Sequence, residues 1–138
     1  MKLSSKPLLA ALAAASLATM ALPLAASADI PAPPAFVRTW VAAPANGGMV
    51  RLAVHRSPNG PLGTAWGQCQ PAACAWGTVP MHFSPDGVDA GAVWTTPFSV
   101  DHVAFQLSPS GRSLFVTENV HFTDNSGRAD YTHQVRLR

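Results

Sequence analysis

The chain has 138 residues, nine Lys and Arg against seven Asp and Glu, and 48% apolar residues. That length fits one domain with its own core. No basic run argues for nucleic acid, and two cysteines without a second ligand pair argue against a cysteine-rich metal module.

Residues 1–28 read as an export signal. Lys2 and Lys6 form a positive start, Leu8 to Leu24 is an uncharged Ala- and Leu-rich run, and Ala26-Ser27-Ala28 is a small-residue cleavage site. Cleavage is expected between Ala28 and Asp29. The run is short for a retained anchor and is broken by Pro23. Both lysines go with the signal, so residues 29–138 carry seven Arg against seven acids, a formal charge of zero. The expected location is the periplasm or the medium, with no membrane span in the mature chain. Residues 29–35 follow as a Pro-rich leader, and residues 36–138 form a single domain.

Turn signals then come at regular intervals: Pro44 to Gly48, Ser57 to Gly60, the loop around Pro71, Ser84 to Gly87, Thr96 to Ser99, Ser108 to Gly111 and Asp124 to Gly127. Three of them are Ser-Pro-x-Gly, and Pro at the second position with Gly at the fourth suits a type I turn. These seven turns delimit eight segments near 36–43, 49–56, 61–69, 74–83, 88–96, 100–107, 112–123 and 128–138. Several segments alternate apolar and polar residues, as Val50, Leu52 and Val54 do with Arg51, Ala53 and His55. The expected fold is all-β: an antiparallel eight-stranded up-and-down meander closed into a small barrel, because closure removes exposed edges; an open sheet or a two-sheet sandwich is the alternative. The three Ser-Pro-x-Gly turns then share one end. The Pro71 loop and the Asp124–Gly127 turn share the other.

The third connection lies within Trp66-Gly67-Gln68-Cys69-Gln70-Pro71-Ala72-Ala73-Cys74-Ala75-Trp76-Gly77, nearly its own mirror image. It reads as a hairpin stapled by Cys69 and Cys74, with Pro71 in the turn. If Cys69 faces Cys74, each Trp lies opposite a Gly, and an indole can cover bare backbone there. Alternation puts Trp66 on the inner face and Trp76 outside, where it and Pro71 become contact points for a partner.

Near the C-terminus, Leu114, Val116, Glu118, Val120 and Phe122 share a face. A turn centred on Asn125 and Ser126 opposes them to Leu137, Val135, His133, Tyr131 and Ala129. Every pair is apolar-compatible except Glu118–His133, an acid facing a base. The two are expected to meet inside the barrel or at its lip, where each offsets part of the other's cost. Trp66, Met81, Phe105, Phe122 and Tyr131 are expected to fill the interior. His55, His82, His102 and His121 show no metal-ligand spacing, and no cofactor motif is present.

The 66–77 segment, together with Ser126-Gly127-Arg128-Ala129-Asp130-Tyr131, resembles a W-G-x-C-x-P-x-x-C-D-W-G and S-G-R-x-D-Y signature of small extracellular domains. Ala75 stands where that pattern has Asp. The resemblance implies an exported, stapled domain and brings no activity with it. A weaker architectural likeness is to calycin barrels, the lipocalin and avidin class. It implies that Trp40 meets Arg136 or Arg138 through a cation–π contact, although Arg38 occupies the glycine place of G-x-W.

The functional expectation is a secreted binding module, not an enzyme. It holds a small ligand or an extracytoplasmic protein through its rim and the disulfide hairpin. Trp76, Pro71, Glu118, His133 and Trp66 are the candidate binding residues. The alternatives are a hydrolase working through Glu118 and His133, or a structural envelope protein.

Overall fold

A computed structural model describes residues 30–43, 47–69 and 72–138. The expected export signal lies outside the described residues. No helix among them is long and apolar enough to cross a membrane.

The strands are β1 (Thr39–Val41), β2 (Met49–Ser57), β3 (Gly60–Gly67), β4 (Cys74–Pro80), β5 (His82–Phe83), β6 (Asp89–Thr95), β7 (Ser99–Leu107), β8 (Leu114–Phe122) and β9 (Tyr131–Leu137). They form a four-stranded sheet, β1-β2-β3-β4, and a five-stranded sheet, β5-β6-β7-β8-β9, all neighbours antiparallel. Among the described residues the all-β meander is therefore present, but as two sheets and nine strands instead of one eight-stranded barrel. The division has a local cause at each seam. The expected fourth strand breaks at Met81, whose N–H still bonds the Pro61 carbonyl at 3.0 Å while the next two residues pair with β6. On the far side, β1 is three residues long and meets β9 through one bridge, Ala42 opposite Leu137.

Of the expected turns, Pro44–Gly48 and the Pro71 loop lie partly outside the described residues, and the other five fall where the sequence places them. In the Ser57–Gly60 hairpin, the Ser57 hydroxyl donates to the Gly60 carbonyl at 2.6 Å. The Ser84 and Ser108 turns close with Gly87 and Gly111 N–H groups donating back to the serine carbonyls, at 3.0 and 2.9 Å.

Alternation sets the core. Buried residues on the inner faces include Leu52 and Val54 of β2, Trp94 of β6, Val103 and Phe105 of β7, Leu114 and Val116 of β8, and Val135 and Leu137 of β9. Fully burying side chains of this size stabilises by about 2 kcal/mol each. The Ser-Pro-x-Gly end is filled by residues that precede β1: Phe36 is fully buried with its ring 5.0 Å from that of Phe83, and Ala32 is buried as well. The Trp40 indole N–H donates to the Phe36 carbonyl at 3.1 Å. The cation over Trp40 is Arg38, 4.4 Å from the ring centre, in place of the expected Arg136 or Arg138.

The β8–β9 register is the expected one, with Leu114 opposite Leu137, Val116 opposite Val135, Glu118 opposite His133 and Val120 opposite Tyr131. The Phe122–Ala129 pair is not part of the ladder. The Asp130 carboxylate substitutes for it, accepting the Phe122 N–H at 3.3 Å and meeting His121 Nδ1 at 2.8 Å.

The β3–β4 register differs from expectation by two residues beside the disulfide, where Trp66 opposes Ala75 instead of Gly77, and by one beyond a bulge, where Ala65 opposes Gly77, so Trp76 is the extra residue. The extra residue lies on β4 and shifts only that strand's faces. β3 itself alternates without a break: Pro61, Gly63, Ala65 and Gly67 form its inner face, and Trp66, against expectation, is turned outward under the Arg51 guanidinium, 4.0 Å from its ring. The small inner residues make room for larger ones. A Cβ on Gly63 would collide with Met81, and one on Gly67 would collide with the Trp76 indole. The indole-over-glycine contact thus exists, reached through the bulge instead of through direct pairing.

Candidate binding cleft

Among the described residues, the end opposite Phe36 is open. A cavity of about 270 Å³ lies there between the sheets, at the end that carries the disulfide loop and the Asp124–Gly127 turn. One side is Gly48, Gly67, Gln68, Cys69, Cys74, Ala75 and Trp76. The other is Phe98, Asp101, Glu118, Val120, Phe122, Arg128 and Tyr131, with the Thr96–Ser99 turn.

Two carboxylates form the floor. Asp101 on β7 and Glu118 on β8 occupy inner positions otherwise held by Val103, Phe105, Val116 and Val120. Asp101 opposes Val120 and Glu118 opposes Val103, which makes the two acids diagonal neighbours across the ladder. They are only 4% and 1% exposed. Glu118 Oε1 accepts the Met49 backbone N–H at 3.0 Å, while Glu118 Oε2 and Asp101 Oδ1 have no hydrogen-bond partner among the described residues. Burial pushes the Glu118 carboxyl up to about 7; the Met49 N–H opposes that shift and the Asp101 charge adds to it. Asp101 is raised as well, chiefly by burial, with Ser99 and the neighbouring His102 opposing.

The walls are aromatic. Trp76 lies half-buried against Trp94, ring centres 6.2 Å apart, and the Trp94 indole N–H donates to the Gly77 carbonyl at 3.1 Å. Phe122 and Tyr131 sit 5.9 Å apart at the mouth. Arg128 lies 4.0 Å above Phe122 and 5.7 Å from Phe98, and its guanidinium is held by Asp124 at 2.8 Å. The Tyr131 phenol is raised by burial first, then by the Glu118 and Asp101 charges.

A glycine strap crosses above Glu118. Gly47 and Gly48 both have positive φ, 68° and 63°. The Gly47 N–H donates to Gln68 Oε1 at 2.6 Å, and the Gln68 N–H donates to the Gly48 carbonyl at 2.8 Å. A Cβ on Gly48 would run into Glu118 Oε2 and the His133 ring. Glycine is required here on both counts, backbone conformation and close approach.

The structure therefore brings together some of the expected residues and separates others. Glu118 and His133 are cross-strand neighbours, but no hydrogen bond joins them, and His133 Nε2 is left without a partner. The hydrogen bond that Glu118 does accept comes from the β2 backbone. Trp76 faces the cleft instead of the outside, and Trp66 lies on the opposite face, away from the cleft. Pro71 lies outside the described residues. Cys69 and Cys74 form a disulfide, Cα atoms 5.5 Å apart, at the cleft rim. Of the residues expected to fill the interior, Met81 and Phe105 do so; Tyr131 is half exposed. Asp101 was not expected. Its signal is the alternation Ser99, Asp101, Val103, Phe105, which a strand begun at residue 100 truncates. Among the described residues no group of three or more His, Cys, Asp or Glu could hold a metal ion.

No protein-family model, curated protein or solved structure matches the chain.

Proposed function

We propose that the protein is a ligand-binding module that works outside the cytoplasm and holds a small molecule in the cleft at its disulfide end. The observation that carries this reading is the floor of that cleft: two buried carboxylates, each with an oxygen that no described residue satisfies. Such groups are expensive when left dry and unpaired, and a recessed apolar pocket with a few convergent polar groups is the usual form of a small-molecule site. Of the two occupants expected from the sequence, a small ligand is favoured over a protein, because Trp76 turns into the cleft instead of presenting a surface anchor.

Export is part of the same proposal, supported by the 1–28 pattern and by the disulfide, which persists in oxidising compartments. So is closure of the two sheets into one barrel-like meander, supported by the Ala42–Leu137 bridge and the single-residue break at Met81. The hydrolase alternative has one feature in its favour, a carboxyl held near neutral pH beside a second acid. It lacks the hydrogen bond from His133 that would orient a base.

The test is a nuclear magnetic resonance titration of the disulfide-intact protein with small fragments of positive, negative and neutral charge. Saturable shifts confined to Trp76, Asp101, Glu118 and Tyr131 are expected. No saturable shift, or shifts on the outer face at His102, Asn119 and Thr132, would refute the cleft as the binding site.

A further inference from the structure

We infer that the cleft selects an organic ammonium ion: its nitrogen between Asp101 and Glu118, its apolar body against Trp76, Phe122 and Tyr131. This rests on the ligand-holding reading of the same cleft and adds the charge and size of the ligand.

Among the described residues, Glu118 Oε2 and Asp101 Oδ1 have no hydrogen-bond partner: the Met49 N–H is already spent on Glu118 Oε1, and His133 Nε2, buried and unpartnered as well, makes no hydrogen bond to Glu118. An occupant must therefore donate. A hydroxyl brings one donor; an alkylammonium brings three, with a charge. Three donors can serve two acids on diagonal positions at once. The charge also removes the cause of their discomfort, two like charges out of water.

The nearest guanidinium does not fill this role. Arg128 sits at the mouth, occupied by the Phe122 ring and by Asp124. Its position shows something else: this rim seats a cation on its aromatic faces. Trp76 and Tyr131 offer further rings on the way to the floor.

Size follows from volume. An apolar cavity of about 150 Å³ accepts benzene, so by proportion one of about 270 Å³ takes roughly ten non-hydrogen atoms. A phenylalkylammonium is of that size.

The experiment compares three probes of one shape on the disulfide-intact full chain at pH 8, where Glu118 is ionised. They are 2-phenylethylammonium, 2-phenylethanol and phenylacetate. The ammonium is expected to bind at least tenfold more tightly than the alcohol, with saturable movement of the Trp76 indole N–H resonance, and phenylacetate is expected to give none. Asp101→Asn and Glu118→Gln are each expected to weaken the ammonium at least tenfold and the alcohol by a clearly smaller factor. Folding of each variant is read from the buried Trp40 and Trp94 indole signals, and Asp101→Asn carries the test alone if Glu118→Gln does not fold. Equal affinity for ammonium and alcohol at Trp76, or preference for phenylacetate, overturns the cation inference and leaves the ligand-binding reading in place. No saturable response to any of the three overturns both.

Discussion

Glu118 makes stability depend on pH in a direction opposite to that of an ordinary surface carboxylate. Its carboxyl is held at about 7 in the folded protein against 4.5 for an exposed one. Below 4.5 the group is neutral in both states, and its contribution to stability is fully present. As pH rises from there toward 7, the unfolded chain ionises first, and folding must retain a proton that the unfolded chain releases. Stability falls over this window and levels off above it. A difference of roughly 2.5 units at about 1.4 kcal/mol per unit gives a loss of about 3 kcal/mol. Glu118→Gln removes the ionisation and keeps an oxygen to accept the Met49 N–H. The variant is expected to match the native protein near pH 4 and to exceed it by about 2–3 kcal/mol at pH 8. Urea denaturation at half-unit pH steps, with the disulfide intact, measures this. The difference between the two curves reports the ionisation of Glu118 together with its coupling to Asp101. A difference that stays constant from pH 4 to 8 would mean that the carboxyl is not held in its neutral form, and the account of the cleft floor would fail with it.

Three further outcomes follow from the geometry. Trp76→Ala is expected to cost about 3 kcal/mol, because the indole packs on Gly67 and Trp94. Trp66→Ala, on the outer face, is expected to cost about 1 kcal/mol or less; thermal or urea unfolding that reverses this order would refute the face assignment. Gly48→Ala is expected to cost about 2 kcal/mol or more, combining a positive φ with a collision against Glu118 and His133, and equal stability of the alanine variant would show that the strap does not cover the carboxylate. Replacing both cysteines with serine is expected to lower stability by about 2 kcal/mol, the loop-entropy value for so small a ring, with the β-sheet circular dichroism retained; loss of the sheet signal would make the staple a condition of folding.

The turns were legible because each is written in residues that few other conformations want, Ser-Pro-x-Gly above all. The β8–β9 register was legible for a different reason. Apart from Phe115, both strands keep their apolar residues on one face, so a slip of one residue would oppose Phe122 to Arg128 and bury the wrong set. The hairpin at the disulfide lacked that safeguard. Its sequence is nearly symmetric, and Gly63, Ala65 and Gly67 give alternation little or nothing to register. A bulge at Trp76 could be inserted there without disturbing any pattern the sequence displays. Glu118 was visible because its apolar neighbours on β8 are unbroken on both sides. Asp101 sits near the start of β7, where a strand begun one residue late leaves too little context to notice an acid among Val103 and Phe105.

The same glycines that hid the register create the site. Gly48 and Gly67 present backbone, not side chains, to the carboxylates and to Trp76. Larger residues at those two positions would fill the space above Glu118 and displace the Trp76 indole, leaving a plugged end like the one that Phe36 closes. Local pattern cannot reveal this, because an inner face of small residues reads as weak strand. Only the pairing of β3 with a bulged β4, and of Gln68 beyond β3 with the glycine strap before β2, turns missing side chains into a cleft with two acids at its floor.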